Sequence, residues 1–405
     1  METLQIGFVS STYHPIVGGA ETYVYKNATT LAELGHDVTV VTRFTKQSPE
    51  DMKALLTGTE PGRSYVQDGA TLHVLSAGPL RGQILKAAYR LHFYEATRPL
   101  AISLLDTVFG KQLQTILSDR DIIHYSGTGR ELLGFCVARL CARQNIPLVV
   151  SSHMHIGSWG DGDIDFELYR RADRMVTATE HEKSFVVDHG LSPDTVDVVG
   201  QGVNVSGSGD GERFRTKHNI DGPLFLFLGR QVPKKGFPLL LRAAPLVWDV
   251  VPNAHFAFAG PPGDHPLSNY PDFFDDLLRD ARVHNLGLIS DEERENAYAA
   301  CDIFCLPSAE ESFGMAYLEA GYYGKPVVGL HIPVLEELVE ETKSGLLTEQ
   351  SPESIATALI RLLQDVSLRN ELGQNGQQRA QKHTWPRIAQ RLSSVYRSVL
   401  EDAER

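Results

Sequence analysis

The chain has 405 residues, 42% of them hydrophobic and 22% charged. That length exceeds what one hydrophobic core usually holds, so two domains are expected. With 38 Lys and Arg against 51 Asp and Glu, the net charge of −13 argues against a general nucleic-acid binder, whose footprint is basic.

The opening METLQIGFVSS has no basic n-region and no long apolar core, and no apolar stretch approaches the length of a membrane-spanning helix. Cys136, Cys141, Cys301 and Cys305 form no C-x-x-C pair and sit in apolar contexts. They read as free buried thiols of a reducing compartment, and a cytoplasmic location is expected.

Leu4 to Ser10 reads as a buried strand, followed by the loop Ser11 to Gly19, a helix from Ala20 to Leu34 stopped by Gly35, and a strand from Val38 to Thr42. Gly18 and Gly19 stand just before the helix, where glycine lets backbone N–H groups approach a phosphate closely. Residues 44–70 are polar and punctuated by Gly and Pro, and read as a loop insertion. Thr71 to Ser76 is a strand. Residues 79–117 read as helices carrying Arg81, Lys86, Arg90, Arg98 and Lys111 beside Tyr89, Phe93, Tyr94 and Phe109. Such a stretch suits a membrane surface or an anionic acceptor. It has no long uninterrupted apolar face, so an ordinary half-buried helical pair is favoured over peripheral membrane contact.

Ile122 to Tyr125 and Ile146 to Ser152 are further strands around a helix from Glu131 to Gln144. The second runs into Ser151-Ser152-His153-Met154-His155. Ligands of open α/β sheets bind outside the carboxyl ends of the strands, which favours His153 for chemistry, with His155 a rival. Two histidines at i and i+2 also fit a metal, but no third ligand follows at a recognisable spacing. Val176 to Ala178 and Val196 to Val199 complete the first domain. The glycine-rich stretch Gly200 to Gly211 reads as a flexible linker at the boundary.

The pattern then restarts. Leu224 to Leu228 is a strand ending at Gly229-Arg230, and Pro233-Lys234-Lys235-Gly236 leads into a helix from Phe237. Arg230 and Lys235, cations at a strand end beside a helix start, suit a pyrophosphate. His255 to Ala259 and Val283 to Leu286 are strands, the latter followed by Gly287-Leu288-Ile289-Ser290. Arg294 in the next helix reads as an exposed helix arginine, with contact to a base as the alternative. Asp302 to Leu306 is a strand and Ala309-Glu310-Glu311 an acidic turn. A helix is expected from Ser312-Phe313 to Tyr323, stopped by Gly324. Glu311 sits just before it and Glu319 about two turns along it, a separation of about 12 Å of rise, and the free N–H groups of Ser312, Phe313, Gly314 and Met315 between them suit an anionic or hydroxylated ligand. A strand from Pro326 to Leu330 and three helical stretches follow, the last after Trp385-Pro386.

E-S-F-G-M-A-Y-L-E-A at 311–320 with G-K-P-V-V at 324–328, G-G-A-E at 18–21 and G-R-x4-K-G at 229–236 together resemble the retaining GT4-type glycosyltransferases with their E-x7-E signature. The resemblance runs from residue 5 to near residue 400. It implies the GT-B fold: α/β, two Rossmann-like domains facing each other across a central cleft. Residues 1–203 would bind the acceptor, 204–385 the donor, and 386–405 would form a terminal helix crossing back to the first domain.

The implied reaction moves a sugar from a nucleotide-diphospho-sugar (UDP- or GDP-sugar) to a hydroxyl of a glycan, lipid-linked or small-molecule acceptor, with retention. It uses no cofactor and no metal, and involves no nucleic acid. Glu311 and His153 would flank the sugar, Glu319 would hold the ribose, and Arg230 and Lys235 the diphosphate. Gly18 and Gly19 would face the donor, while Ile289 and Arg294 would border the base. Where the family commonly reads His-Asp, this chain has His153-Met154. The same scaffold also suits a sugar-nucleotide epimerase, a phosphorylase or a silent sugar-nucleotide binder. A dinucleotide-dependent oxidoreductase is disfavoured, because no G-x-G-x-x-G follows the first strand.

Overall fold

A computed structural model describes residues 3–16, 18–263 and 273–404; Val17, inside the first glycine loop, lies outside them, as do Met1 and Glu2. The chain divides into two compact units, Met1–Gln201 with Trp385–Arg405, and Gly202–Thr384. Each is an open sheet covered by helices.

In the first unit the strands are β1 (Gln5–Ser10), β2 (Asp37–Thr42), β3 (Arg63–Gln67), β4 (Ala70–Val74), β5 (Ile122–Ser126), β6 (Leu148–Ser151), β7 (Arg174–Thr177) and β8 (Val196–Val198). They lie in the order β3-β4-β2-β1-β5-β6-β7-β8. Neighbouring residues on one strand feed opposite faces, as period 2 requires. Phe8, Val40 and Ile122 join the core beneath helices Gly19–Glu33 and Trp385–Glu404. Val9, Val41 and Ile123 join the core beneath helices Arg98–Leu117 and Leu133–Gln144. Both faces are therefore buried, as expected for parallel strands joined by crossover helices.

The second unit has β9 (Leu224–Leu228), β10 (His255–Ala259), β11 (Val283–Gly287), β12 (Ile303–Cys305), β13 (Val327–Leu330) and β14 (Gly345–Thr348), in the order β11-β10-β9-β12-β13-β14, all parallel. Strand order reverses at β1/β5 in one unit and at β9/β12 in the other. Such switch points open a crevice at the carboxyl ends of the strands.

Four expectations need correction. The stretch 44–70 is not a bare loop: it holds helix Met52–Thr57, capped by the Asp51 side chain accepting from Ala54 N, and β3. β3 pairs antiparallel with β4, so the first sheet is not wholly parallel. Along β3 it is Arg63, Tyr65 and Gln67 that turn inward while Ser64 and Val66 are exposed, an alternation that a hydropathy pattern does not reveal.

The helix expected from Ser312-Phe313 begins instead at Met315, because Gly314 adopts a left-handed conformation at φ 87° and acts as N-cap. Glu319 is thus one turn into the helix, about 6 Å of rise from its start, and the 12 Å helical spacing of the two glutamates does not apply. The presumed flexible linker is anchored. Ser206 donates from N and Oγ to Glu295 Oε1, both at 2.7 Å, and Asp210 N donates to Asn296 Oδ1 at 2.6 Å. Tyr323 OH and Arg294 Nη2 donate to the carbonyls of Gly207 and Asn204. Lastly Arg294, expected to be exposed, is largely buried by that bond and by its pair with Asp291 at 2.9 Å.

Candidate functional site

In the second unit the functional loops converge on the β9/β12 switch point. β9 delivers Gly229 and Arg230, and a short turn, Pro233–Lys235, precedes Gly236 and helix Phe237–Trp248. β12 delivers Pro307-Ser308 and the acidic turn. The two loops are locked together by backbone: Ala309 N donates to Lys234 O at 2.9 Å. Gly236 has φ 76°, and a Cβ there would stand 2.0 Å from Pro307 O, so only glycine permits this approach. Ser308 is fully buried and its hydroxyl donates to Glu310 O at 2.9 Å, which fixes the turn.

Side chains complete the junction. Lys235 Nζ pairs with Glu311 Oε1 at 2.8 Å and donates to Glu310 O at 3.3 Å. Lys234, more exposed, pairs with Glu310. Arg230 O accepts from Val232 N at 2.8 Å, while its side chain is exposed and has no hydrogen bond or ion pair among the described residues. The N–H groups of Ser312, Phe313, Gly314 and Met315 find no acceptor among the described residues. Phe313 itself is buried against His383, with ring centroids 5.7 Å apart.

One turn along, Glu319 is buried and its Oε2 accepts from Tyr298 OH at 2.9 Å. Burial raises its carboxyl pKa, and the nearby Arg294 guanidinium and the Tyr298 bond offset this only in part. Ile289 is half-buried between β11 and the next helix, beside Leu288, which is 81% exposed.

In the first unit Gly18, Gly19 and His153 lie at the carboxyl ends of the strands. Gly18 is extended, and a Cβ would stand 2.1 Å from Glu21 Oε2, whose carboxylate folds back to accept from Thr12 Oγ1 at 2.6 Å. His153 follows β6 in a left-handed conformation, φ 48°, a placement that β-carbon sterics disfavour and that clusters at functional sites. Its Nε2 is hydrogen-bonded to Ser126 Oγ at 2.8 Å, and Tyr23 meets its ring edge-on at 4.7 Å. Burial, then the His155 charge, lowers its pKa to about 4, so the imidazole is neutral at physiological pH. His155 is held in a tight loop, exchanging backbone bonds with Trp159.

Tyr298, Ser126 and Tyr23 were not apparent from the motifs. Ser126 could have been found from register, since β5 and β6 are parallel neighbours and Ser126 stands opposite Ser151. Among the described residues no group of three His, Cys, Asp or Glu side chains is placed to hold a metal ion. The four cysteines are buried and free, and burial pushes the Cys141 and Cys301 thiols up to about 12. No described helix is long and apolar enough to cross a membrane.

Residues 210–379 match the family described as Glycosyl transferases group 1, and residues 17–206 match Glycosyltransferase Family 4. A D-inositol 3-phosphate glycosyltransferase of Corynebacterium glutamicum is 26% identical over 95% of this chain and 92% of its own length. One of the same name from Acidothermus cellulolyticus is 29% identical over 95% and 86%. Among solved structures, a sucrose-phosphate synthase from Thermosynechococcus elongatus superposes with a TM-score of 0.72 at 20% identity, covering 98% of this chain and 100% of that one. Anabaena HepE in complex with UDP gives 0.73 at 19% identity, with the same coverage. With two Rossmann-like units, the GT-B motif loops at their switch points, and both family matches in chain order, this chain belongs to the GT4-type glycosyltransferases.

Proposed function

We propose that the chain transfers a sugar from a nucleotide-diphospho-sugar, UDP- or GDP-linked, to an acceptor hydroxyl with retention of anomeric configuration and without a metal ion. The observation that carries this reading is the Lys235–Glu311 pair at the β9/β12 switch point, beside an exposed Arg230 side chain that has no partner among the described residues. Arg230 and Lys235 would stabilise the departing diphosphate, where negative charge develops. Lys235 also holds Glu311 at the edge of the same crevice, next to backbone donors suited to an oxygen-rich ligand. Glu319 would bind the ribose, and neutral His153 would contact the sugar as a hydrogen-bonding group. Retention rests on the likeness of the motif set to retaining enzymes.

A thermal-shift screen of nucleotide-sugars identifies the donor, since a ligand at 100 times its dissociation constant stabilises by about 2.7 kcal/mol. Turnover is then followed with an acceptor panel that starts from D-inositol 3-phosphate, the compound in the relatives' name. An α-linked donor is expected to give an α-glycoside in excess chelator, read from an NMR coupling constant; a β product overturns the assignment. Arg230→Ala should weaken donor binding by about 1.5–3 kcal/mol, as for a hydrogen bond to a charged group. Lys234→Ala, which loses only a surface pair, should be nearly silent.

A further inference from the structure

The helical hairpin formed by Gly78–Leu91 and Arg98–Leu117 buries its inner side in the first unit, through Leu85, Ala88, Ala101, Leu105 and Phe109. The turn that joins the helices departs from this. Phe93 is 59% exposed, Tyr94 70% and Leu100 53%, three large apolar side chains within eight positions around the turn, whereas Val66 and Leu288 are exposed singly. Scattered apolar residues on a surface are ordinary, but a cluster of large ones marks an interaction site.

The charge around the tip identifies the partner. Residues 78–117 carry Arg81, Lys86, Arg90, Arg98 and Lys111 against only Glu95 and Asp106, in a chain whose net charge is −13. Asp106 is already occupied by Arg139 and Arg143, at 3.9 and 3.3 Å. Lys86 and Arg90 are exposed and have no ion-pair partner among the described residues. Helical steps of three and four place Gln83, Lys86 and Arg90 in one stripe of helix Gly78–Leu91, and Phe93 follows two residues past its end, so the free cations precede the aromatic tip. Aromatic rings that enter a headgroup boundary, backed by cations at the level of lipid phosphates, form an interfacial anchor. The long stems of Lys and Arg allow their charges to sit at that level while the tip goes deeper.

We propose that this hairpin docks the first unit on an anionic membrane surface, with Phe93, Tyr94 and Leu100 inserted and Lys86 and Arg90 on lipid headgroups. This reverses the expectation drawn from the sequence, where the lack of a continuous apolar face argued against membrane contact. Phe93 and Tyr94 lie in the turn and Leu100 in the first turn of the next helix, so the periodicity of one helix did not display the group.

The test is flotation of the full-length protein with vesicles. In about 0.1 M salt, where surface charges still act over about 10 Å, the protein should float with vesicles containing phosphatidylglycerol and much less with pure phosphatidylcholine. Phe93→Ser/Tyr94→Ser should lower the bound fraction at least about tenfold, and Lys86→Glu/Arg90→Glu at least about fivefold. Both variants change exposed residues outside the donor site, so their melting temperatures and the thermal shift produced by the donor nucleotide should match those of the unaltered protein. The proposal is overturned if the unaltered protein stays unbound. It is equally overturned if either double variant floats as well, or if Phe93→Ser/Tyr94→Ser abolishes self-association in a protein that does not bind lipid.

Discussion

Glu319 is a carboxylate held where a carboxylate is costly. It is buried, accepts from Tyr298 OH, and has its pKa raised from 4.5 by that burial. A raised pKa means that the folded state binds the proton more tightly than the unfolded chain. The favourable contribution is therefore complete below pH 4.5 and is lost as pH rises through the folded value. At neutral pH the ionised group stands as a debit against stability. Glu319→Gln keeps the shape and lets the Tyr298 hydroxyl donate to the amide oxygen. The variant should melt higher than the unaltered protein at pH 7, with the difference closing towards pH 4.5. Its donor KM should rise with kcat less affected, because a ribose contact is uniform binding. Glu311→Gln should fall more on kcat, since the sugar it faces changes charge in the reaction. Equal melting temperatures at pH 7 together with an unchanged KM would sink both the burial argument and the ribose assignment.

At the scale of elements, a backbone approach aligns the donor-side loops before any side chain acts. The turn Pro233–Lys235 meets the loop after β12 through Gly236, whose missing Cβ leaves room for Pro307 O, and through the bond from Ala309 N to Lys234 O. Gly236→Ala would place a Cβ 2.0 Å from that carbonyl at a φ of 76°. A cost of about 1–3 kcal/mol is expected, read from the urea midpoint, with a larger loss of donor affinity than of acceptor affinity as Lys235 and Glu311 move apart. A variant with unaltered donor affinity would show that the loops hold their alignment without this contact.

The same scale explains what could be read in advance. β9, β10 and helix Phe237–Trp248 have the expected starts, because Leu224 to Leu228 and Phe256 to Ala259 are continuous apolar runs with Gly and Pro close at their ends. The locations of Arg230, Lys235 and Glu311 at strand ends followed from the same punctuation. β3 was hidden because its inward residues are Arg63, Tyr65 and Gln67. The late start of the helix at Met315 was hidden because it depends on the left-handed Gly314, which packs against Leu338 and Tyr317. The anchoring of Ser206 and Asp210 depends on Glu295 and Asn296, some 90 residues away in the chain. Tertiary partners of that kind leave no local pattern.

At the scale of the whole molecule, the first unit is discontinuous: it needs the C-terminal helix Trp385–Glu404 as well as residues before 201. Ile388, Ala389, Leu392, Tyr396 and Val399 of that helix are buried with Phe8, Val24 and Val40. Two polar contacts lie beneath them: His36 Nε2 with Ser393 Oγ at 3.2 Å, and His124, stacked on Phe8 at 5.0 Å and hydrogen-bonded through Nδ1 to Tyr396 OH at 2.6 Å and through Nε2 to Ser151 Oγ at 2.9 Å. Burial, then the neighbouring His153, lowers its pKa to about 3. The folded state thus holds His124 neutral while the unfolded chain protonates it below pH 6.5. Stability is complete above that value and is lost as pH falls, by roughly 1.4 kcal/mol per pH unit until about pH 3. The first unit should therefore loosen in mild acid at its C-terminal helix. The unfolding free energy, from urea curves followed by a probe in helix Trp385–Glu404, should fall between pH 7 and pH 5 in the unaltered protein, with about 2 kcal/mol of the fall due to His124 and a further share due to His153. It should fall by clearly less in His124→Asn, whose own destabilisation cancels when the two pH values are compared within one variant. A variant with the full acid dependence would assign it to other histidines and leave the His124–Tyr396 contact as a bond without a pH role.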